Sequence, residues 1–289
     1  MSLLLPKITI VTPSFNQGEY LEETILSVIN QGYPNLEYII IDGGSTDHSV
    51  EIIRKYEQHL KYWVSEKDEG LYHALQKGFS RSTGEIMAWI NSDDMYHKKS
   101  LFIAADIFST FHQVQWLMGT NTFYDENGYS FVYDEQPYQQ RWSKLRLYLF
   151  KDQFIQQESV FWRRDLWNKA GGFIDVNHSL AADFELWLRF FRYEKLYTTS
   201  FMLGGFRLRT VNQKSHHQRN EYQQQASQIA HREYKSESKL TNLHFYRLLL
   251  FLIKLVPLKK WRTKAAVSLL KLPPKITFDR FEKFVFSKK

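Results

Sequence analysis

Over the first 110 residues, four short apolar runs rich in β-branched and aromatic residues alternate with four segments of helical spacing. The runs are Ile8 to Thr12, Glu37 to Ile41, Tyr62 to Ser65 and Glu85 to Ile90. Leu21, Ile25, Val28 and Ile29 share one face of the first helical segment. Ser45 is placed to cap a second helix running through Lys55. Leu71 to Phe79 and Leu101 to Phe108 supply the third and fourth. Alternation at this spacing predicts an α/β fold with a mostly parallel sheet flanked by helices on both faces. Such sheets take their ligands at the carboxyl ends of strands. Two of the runs end at acids: Asp42 in Asp42-Gly43-Gly44-Ser45-Thr46-Asp47, and Asp93-Asp94 in Asn91-Ser92-Asp93-Asp94. A third acid, Asp183, opens the helical pattern Asp183-Phe184-Glu185-Leu186-Trp187.

Beyond residue 110 the pattern is less regular. Trp116 to Thr120 and Tyr129 to Tyr133 read as strands joined by a turn at Asp125-Glu126-Asn127-Gly128. Gln156 to Trp162 reads as another strand. Glu185 and Arg189, four apart, support the helix after Asp183. His217 to Lys239 is polar and Gln-rich, a surface helix or linker.

A chain of 289 residues without cysteine has no disulfide framework, thiolate metal site or thiol nucleophile, which fits a reducing cytoplasm. Met1 to Lys7 is too short and too quickly followed by a strand to serve as a secretory signal. The net charge of +7 is uneven: Lys235 onward has 14 Lys/Arg against 3 Asp/Glu, and the preceding residues have 24 against 28. No nucleic-acid module accompanies that basic tail, which reads better as a surface for anionic lipid head groups. Its longest apolar run, Leu248 to Ile253, is far below the roughly 20 residues needed to span a bilayer. An interfacial amphipathic segment or a C-terminal helix packed on the domain with a solvated basic face both fit.

Adjacent aspartates after a strand suit Mg²⁺ or Mn²⁺ shared with substrate phosphates, although turn and cap roles explain such pairs equally well. Asp42 is open to an ordinary turn role and Asp183 to N-capping. There is no G-x-G-x-x-G or G-x-x-x-x-G-K-[ST] loop, which disfavours a dehydrogenase or P-loop enzyme. His-Glu-x-x-His and Gly-x-Ser-x-Gly are also missing, so zinc-peptidase and α/β-hydrolase readings have no support.

With Thr12-Pro13-Ser14-Phe15-Asn16, Glu66-Lys67-Asp68-Glu69-Gly70 and Ala182-Asp183-Phe184-Glu185-Leu186-Trp187-Leu188-Arg189, these strings together resemble family 2 inverting glycosyltransferases of the GT-A fold. The resemblance covers most of residues 7 to 215. It implies a glycosyltransferase domain over 1–216, its nucleotide-sugar half ending near 110 and its acceptor half spanning 111–216. A polar linker or helix over 217–243 and a basic amphipathic, largely helical tail over 244–289 follow. By the same resemblance, Thr12, Pro13 and Asp42 surround the nucleotide base and ribose, with Asp68 nearby. Asp93 and Asp94 match the D-x-D region that binds ribose and the divalent ion, Mg²⁺ or Mn²⁺; its first acid is Asn91 here. Asp183 becomes the general base for an acceptor hydroxyl. Gln157 and Glu158 are acceptor contacts, or polar residues on a strand edge. Arg207, Arg209 or Lys214 pair with phosphate oxygens, and His216 and His217 are solvated loop residues. Trp89, Trp162 and Trp187 are mostly core by their spacing.

The implied activity is metal-dependent, inverting transfer from a nucleotide-diphosphate sugar, most plausibly UDP-linked, to a glycan or polyprenyl-linked acceptor. Surface-polysaccharide assembly at the inner membrane face is the implied setting, with the protein peripheral and the tail on anionic lipid. No nucleic-acid partner is expected. Two other readings are a sugar nucleotidyltransferase, for which Pro13-Ser14-Phe15-Asn16-Gln17 is a poor triphosphate loop, and a non-catalytic nucleotide-binding scaffold at a membrane surface.

Overall fold

The computed structural model describes residues 5–132, 141–149, 155–209, 218–236, 243–279 and 283–287. The first half follows the alternation closely. Strands β1 (Ile8–Ser14), β2 (Leu36–Asp42), β3 (Tyr62–Ser65) and β4 (Ile86–Trp89) are separated by helices α1 (Gly18–Ile29), α2 (Ser49–Lys55) and α3 (Leu71–Phe79). After the short β5 (Met95–Tyr96) and helix α4 (Ser100–Thr110) come β6 (Trp116–Met118), β7 (Thr122–Tyr124) and β8 (Ser130–Phe131). Helix α5 (Lys144–Leu149), strand β9 (Val160–Arg163), and helices α6 (Arg164–Lys169) and α7 (Ala182–Tyr193) follow. The remainder comprises β10 (Leu196–Thr199), β11 (Gly204–Arg207), α8 (Arg219–Ser236), α9 (Leu243–Lys254), α10 (Lys259–Leu269), β12 (Lys275–Phe278) and β13 (Phe284–Phe286).

Nine strands form the main sheet in the order β13-β12-β10-β6-β9-β4-β1-β2-β3, and β5-β11-β7-β8 form a smaller one. β1 pairs in parallel with β2 and β4, and β2 with β3, so four carboxyl ends reach one edge of the sheet. β9 runs antiparallel between β4 and β6. Every residue of β1, β4 and β6 is buried, as expected of strands covered on both faces. α3 packs so closely on β1 that a Cβ at Gly78 would lie 2.4 Å from a Val11 methyl carbon.

Stacked indoles fill the space between sheet and α7. Trp89 and Trp187 lie 5.5 Å apart at 6°, Trp116 stacks on the same Trp187 ring, and Trp162 packs edge-on to both Trp89 and Trp187. All four are buried core residues.

Several local expectations are corrected. Helix α2 begins at Ser49 rather than being capped by Ser45, whose hydroxyl is turned to Asp42 and to the Asn16 amide. The Asp125-to-Gly128 turn exists, with the Asp125 carboxylate accepting from the Asn127 and Tyr129 amides, but it joins β7 to β8. Trp116–Met118 belongs instead to the main sheet, because its buried side chains need cover on both faces. Gln157 to Ser159 forms a 3₁₀ turn ahead of β9. Gly204 backs onto that turn so closely that its Cβ would fall 2.0 Å from the Glu158 carbonyl oxygen. The tail forms helices α9 and α10, but its end forms strand β12, which pairs in parallel with β10. Lys214, His216 and His217 lie outside the described residues.

Candidate active site

The carboxyl ends of β1 to β4 open on a cavity of about 660 Å³. Pro13, at the end of β1, and Phe15 just after it form part of the wall, Gly43 and Gly44 follow β2, Lys67 and Asp68 follow β3, and Asn91 and Asp93 follow β4. Phe206 and Arg209 reach it from β11 and the residues just beyond.

Asp42 shapes the wall from behind. Fully buried, it accepts hydrogen bonds from the amides of Gly44 (3.2 Å) and Ser45 (2.9 Å) and the hydroxyls of Ser45 (2.5 Å) and Ser65 (2.7 Å). Three of these donors converge on Oδ2 and one on Oδ1, which ties Asp42 to its own turn and to the end of β3. Thr12 is likewise buried, its hydroxyl 3.1 Å from that of Tyr38. Of the residues assigned by resemblance to the nucleoside, Pro13 and Asp68 line the cavity, whereas Thr12 and Asp42 lie behind it. A Cβ at Gly43 would stand 3.0 Å from the Asp68 carboxylate, so a larger residue there would displace that side chain by a few tenths of an ångström.

The acidic pair divides. Asp93 lines the cavity and accepts a 2.5 Å hydrogen bond from the Arg209 guanidinium, which also stacks over Tyr20. Asp94 points inward, is fully buried, and accepts from the Arg207 amide (2.8 Å) and Asn91 Nδ2 (3.1 Å). Glu158, also buried, is close enough for its negative charge to act on Asp94. Two neighbouring buried carboxyls disfavour each other's ionisation. Burial first, then the neighbouring negative charges, hold Asp94 well above the usual carboxylate range. Glu158 is pushed up to about 7 by burial, with the charges of Asp93 and Asp183 adding. Of the two acids expected at the metal, Asp93 lines the cavity and Asp94 is enclosed behind it.

Gln157 is also internal, its amide donating to the Trp89 carbonyl at 2.7 Å. Arg207 is fully buried and ties Glu23 (2.5 Å) to the carbonyls of Asp93, Asp125 and Glu126. It acts as a rivet behind the acidic turn, and Arg209 is the arginine at the cavity.

Asp183 stands in the first turn of α7, partly exposed. Burial of the surrounding site pushes its carboxyl up to about 6, against the opposing pull of the Phe184 amide and two tyrosine hydroxyls. The Tyr72 hydroxyl lies 2.8 Å from the Leu180 carbonyl and 3.1 Å from Asp183 Oδ1, so one proton is shared between two acceptors. Tyr222 of α8 approaches both Asp183 oxygens, at 3.4 and 3.3 Å. α3 links Asp183 and the cavity: Leu71 and Ala74 line the cavity, and Tyr72 between them reaches Asp183. Tyr72 and Tyr222 escape sequence reasoning; Tyr222 lies in the Gln-rich stretch, where nothing marks it.

Among the described residues there is no cluster of three or more His, Asp or Glu suited to hold a metal. A divalent ion shared with a diphosphate needs fewer protein ligands. Asp93 offers a carboxylate at the wall, and Asn91 Oδ1 is a buried oxygen without a hydrogen-bond partner among the described residues. That donor set fits such an ion.

Residues 9–166 match the model for glycosyl transferase family 2. The chain is 31% identical over 132 residues to the putative teichuronic acid biosynthesis glycosyltransferase TuaG of Bacillus subtilis, covering 44% of this chain and 48%, about half, of that protein. Its fold is similar to S. aureus TarS 1–349, solved in complex with UDP-GlcNAc, with a TM-score of 0.60 at 16% identity over 91% of this chain and 80% of that one. The mannosyltransferase PcManGT from Pyrobaculum calidifontis, in complex with GDP-Man and Mn2+, gives 0.56 at 16% identity, covering 93% and 86%. At that identity the structural likeness is one of GT-A fold.

Proposed function

The chain belongs to glycosyl transferase family 2, and from that premise we propose that it transfers a sugar, with inversion, from a UDP-type nucleotide-diphosphate sugar to an acceptor hydroxyl. The observation that carries this reading is Asp183, pushed up to about 6 and held beside the strand-end cavity that Asp93 and Arg209 line. A base is most effective when its pKa lies near the working pH. Asp183 takes the acceptor proton as the hydroxyl oxygen bonds to the anomeric carbon from the face opposite the diphosphate. The anomeric carbon–oxygen bond breaks in the same displacement, and the electron pair leaves with the diphosphate. Arg209 supplies fixed positive charge on that side of the cavity. A divalent ion held by Asp93 and Asn91 Oδ1 would supply further electrostatic stabilisation of the leaving group. Tyr72 and Tyr222 keep the Asp183 carboxylate oriented.

Mn2+ in PcManGT and the teichuronic acid role in the name of TuaG support metal dependence and a part in surface-polysaccharide assembly. We assign the acceptor to a glycan or lipid-linked glycan, met by a peripheral protein at the inner membrane face. The reading is tested by calorimetric titration of UDP, GDP, CDP and dTDP into the chain and its Asp93→Asn variant, with and without Mn²⁺. One nucleotide binds the parent in the presence of Mn²⁺ and binds the variant at least about tenfold more weakly. Absence of binding by all four nucleotides overturns the reading.

A further inference from the structure

Helix α9 is apolar on both sides. Leu243, Tyr246 and Leu250 face inward and pack against the small core of Leu149, Leu270 and Leu272. Phe245, Leu248, Phe251, Leu252 and, just past the helix, Leu255 lie on the outer side, between 48% and 66% exposed. Pro257 separates α9 from α10, and Leu258 and Trp261 prolong the exposed apolar strip at that junction. A helix on a soluble surface ordinarily turns polar residues outward. An uninterrupted apolar strip of this kind marks a contact surface.

The charge around the strip identifies what covers it. From Leu243 to Lys271 there are seven Lys/Arg and no Asp or Glu. A second copy of the chain would bring like charge against like charge. An anionic bilayer instead attracts each such cation. No helix among the described residues is long and apolar enough to cross a membrane, so the strip must lie along the interface. We propose that α9 and the start of α10 form an interfacial anchor on an anionic lipid bilayer. Phe245, Leu248, Leu252, Leu255 and Leu258 enter the acyl boundary, with Trp261 at head-group depth. Lys259, Lys260, Arg262 and Lys264, at the start of α10, meet the lipid phosphates. The packed inner face and the β12–β10 pairing then hold the catalytic domain to the bilayer.

This inference deepens the membrane-side assignment above and rests on it for biological sense, but its test needs neither donor nor acceptor. Loss of vesicle binding and loss of nucleotide binding are therefore separate results. The purified chain is floated with vesicles of phosphatidylcholine, or of phosphatidylcholine and phosphatidylglycerol in equal parts. Binding to the anionic vesicles is at least about tenfold stronger and falls as salt is raised. Leu248→Glu with Leu252→Glu reduces that binding at least about tenfold while nucleotide affinity, which reports an intact fold, is unchanged. Lys259→Glu with Lys260→Glu weakens it without touching the apolar strip. Failure of the parent to float with anionic vesicles overturns the proposal, as does unchanged flotation of the leucine variant. So does a parent dimer, seen by light scattering, that the leucine variant splits without any vesicle binding, which would make the strip a self-association face.

Discussion

At Asp183, catalysis and stability make opposite demands. The carboxyl titrates near 6 in the folded protein, against an ordinary value of 3.8. In its proposed role as base it works only when ionised, so the transfer rate is expected to fall as pH drops through about 6 with the loss of a single ionisation. For stability the sign is reversed: the folded state binds the proton more tightly, so this group's contribution is fully present below pH 3.8 and lost as pH rises through about 6. Asp183→Asn is expected to lower kcat by about 10² to 10⁴ with nucleotide binding unchanged. The same variant is expected to be more stable than the parent at pH 8, by about 1 to 3 kcal/mol, with little difference at pH 4. Urea unfolding at the two pH values checks this, and an equal effect at both would refute the linkage. Tyr222→Phe removes a donor that favours the ionised carboxylate, so the acid limb of the rate profile is expected to move to higher pH. An unmoved limb would leave Tyr222 a packing residue only.

α7 both carries Asp183, the proposed base, and forms a wall of the core. Its N-terminal turn holds Asp183, and Trp187, one turn further, stacks between Trp89 and Trp116. The Glu185–Arg189 ion pair at 2.8 Å fixes the helix to the turn before it, because Arg189 also donates to the Ala170 and Phe173 carbonyls. Trp187→Ala leaves a cavity in this stack, and a loss of about 3 to 5 kcal/mol is expected in denaturant titration. Weakening by less than about 1 kcal/mol would mean that the surrounding indoles collapse into the space. α8 is tied to α7 and α5 through buried Glu233, which accepts from Arg192 and, at 2.9 Å, from Lys144. That attachment brings Tyr222 to Asp183.

In the whole molecule, the last residues complete the sheet on which the site is built. β12 covers the open edge of β10, with Ile276 fully buried, and β13 covers β12. Ending the chain at Lys271 bares the β10 edge and removes Leu272 from the small core under α9. An exposed strand edge invites pairing with other chains. The shortened protein is therefore expected to aggregate and to melt at lower temperature than the parent, by light scattering and calorimetry. A monomeric product with unchanged melting would show that the edge strands are dispensable.

The order of β1 to β4 and the helices between them was legible in the sequence because both signals are local: apolar runs for strands, helical spacing for helices, and acids at the strand ends. Leu71 to Phe79 and Tyr62 to Ser65 are found with the very bounds the pattern gives. Neighbouring residues also disclosed the Asp125-to-Gly128 turn and the Glu185–Arg189 pair. Which acids face the cavity was beyond the sequence, since Asp93 and Asp94 are adjacent and chemically alike. Only packing turns Asp94 toward Glu158, 64 positions away, and leaves Asp93 to Arg209. Arg207 and Arg209 differ for the same reason, one enclosed behind the acidic turn and the other at the cavity. Tyr72, Asp183 and Tyr222 meet only because α3, α7 and α8 pack together. Sequence alone determined the local elements and the stock of chemical groups; the tertiary fold decided which groups meet and which are buried, because burial and long-range hydrogen bonds depend on residues distant in the chain.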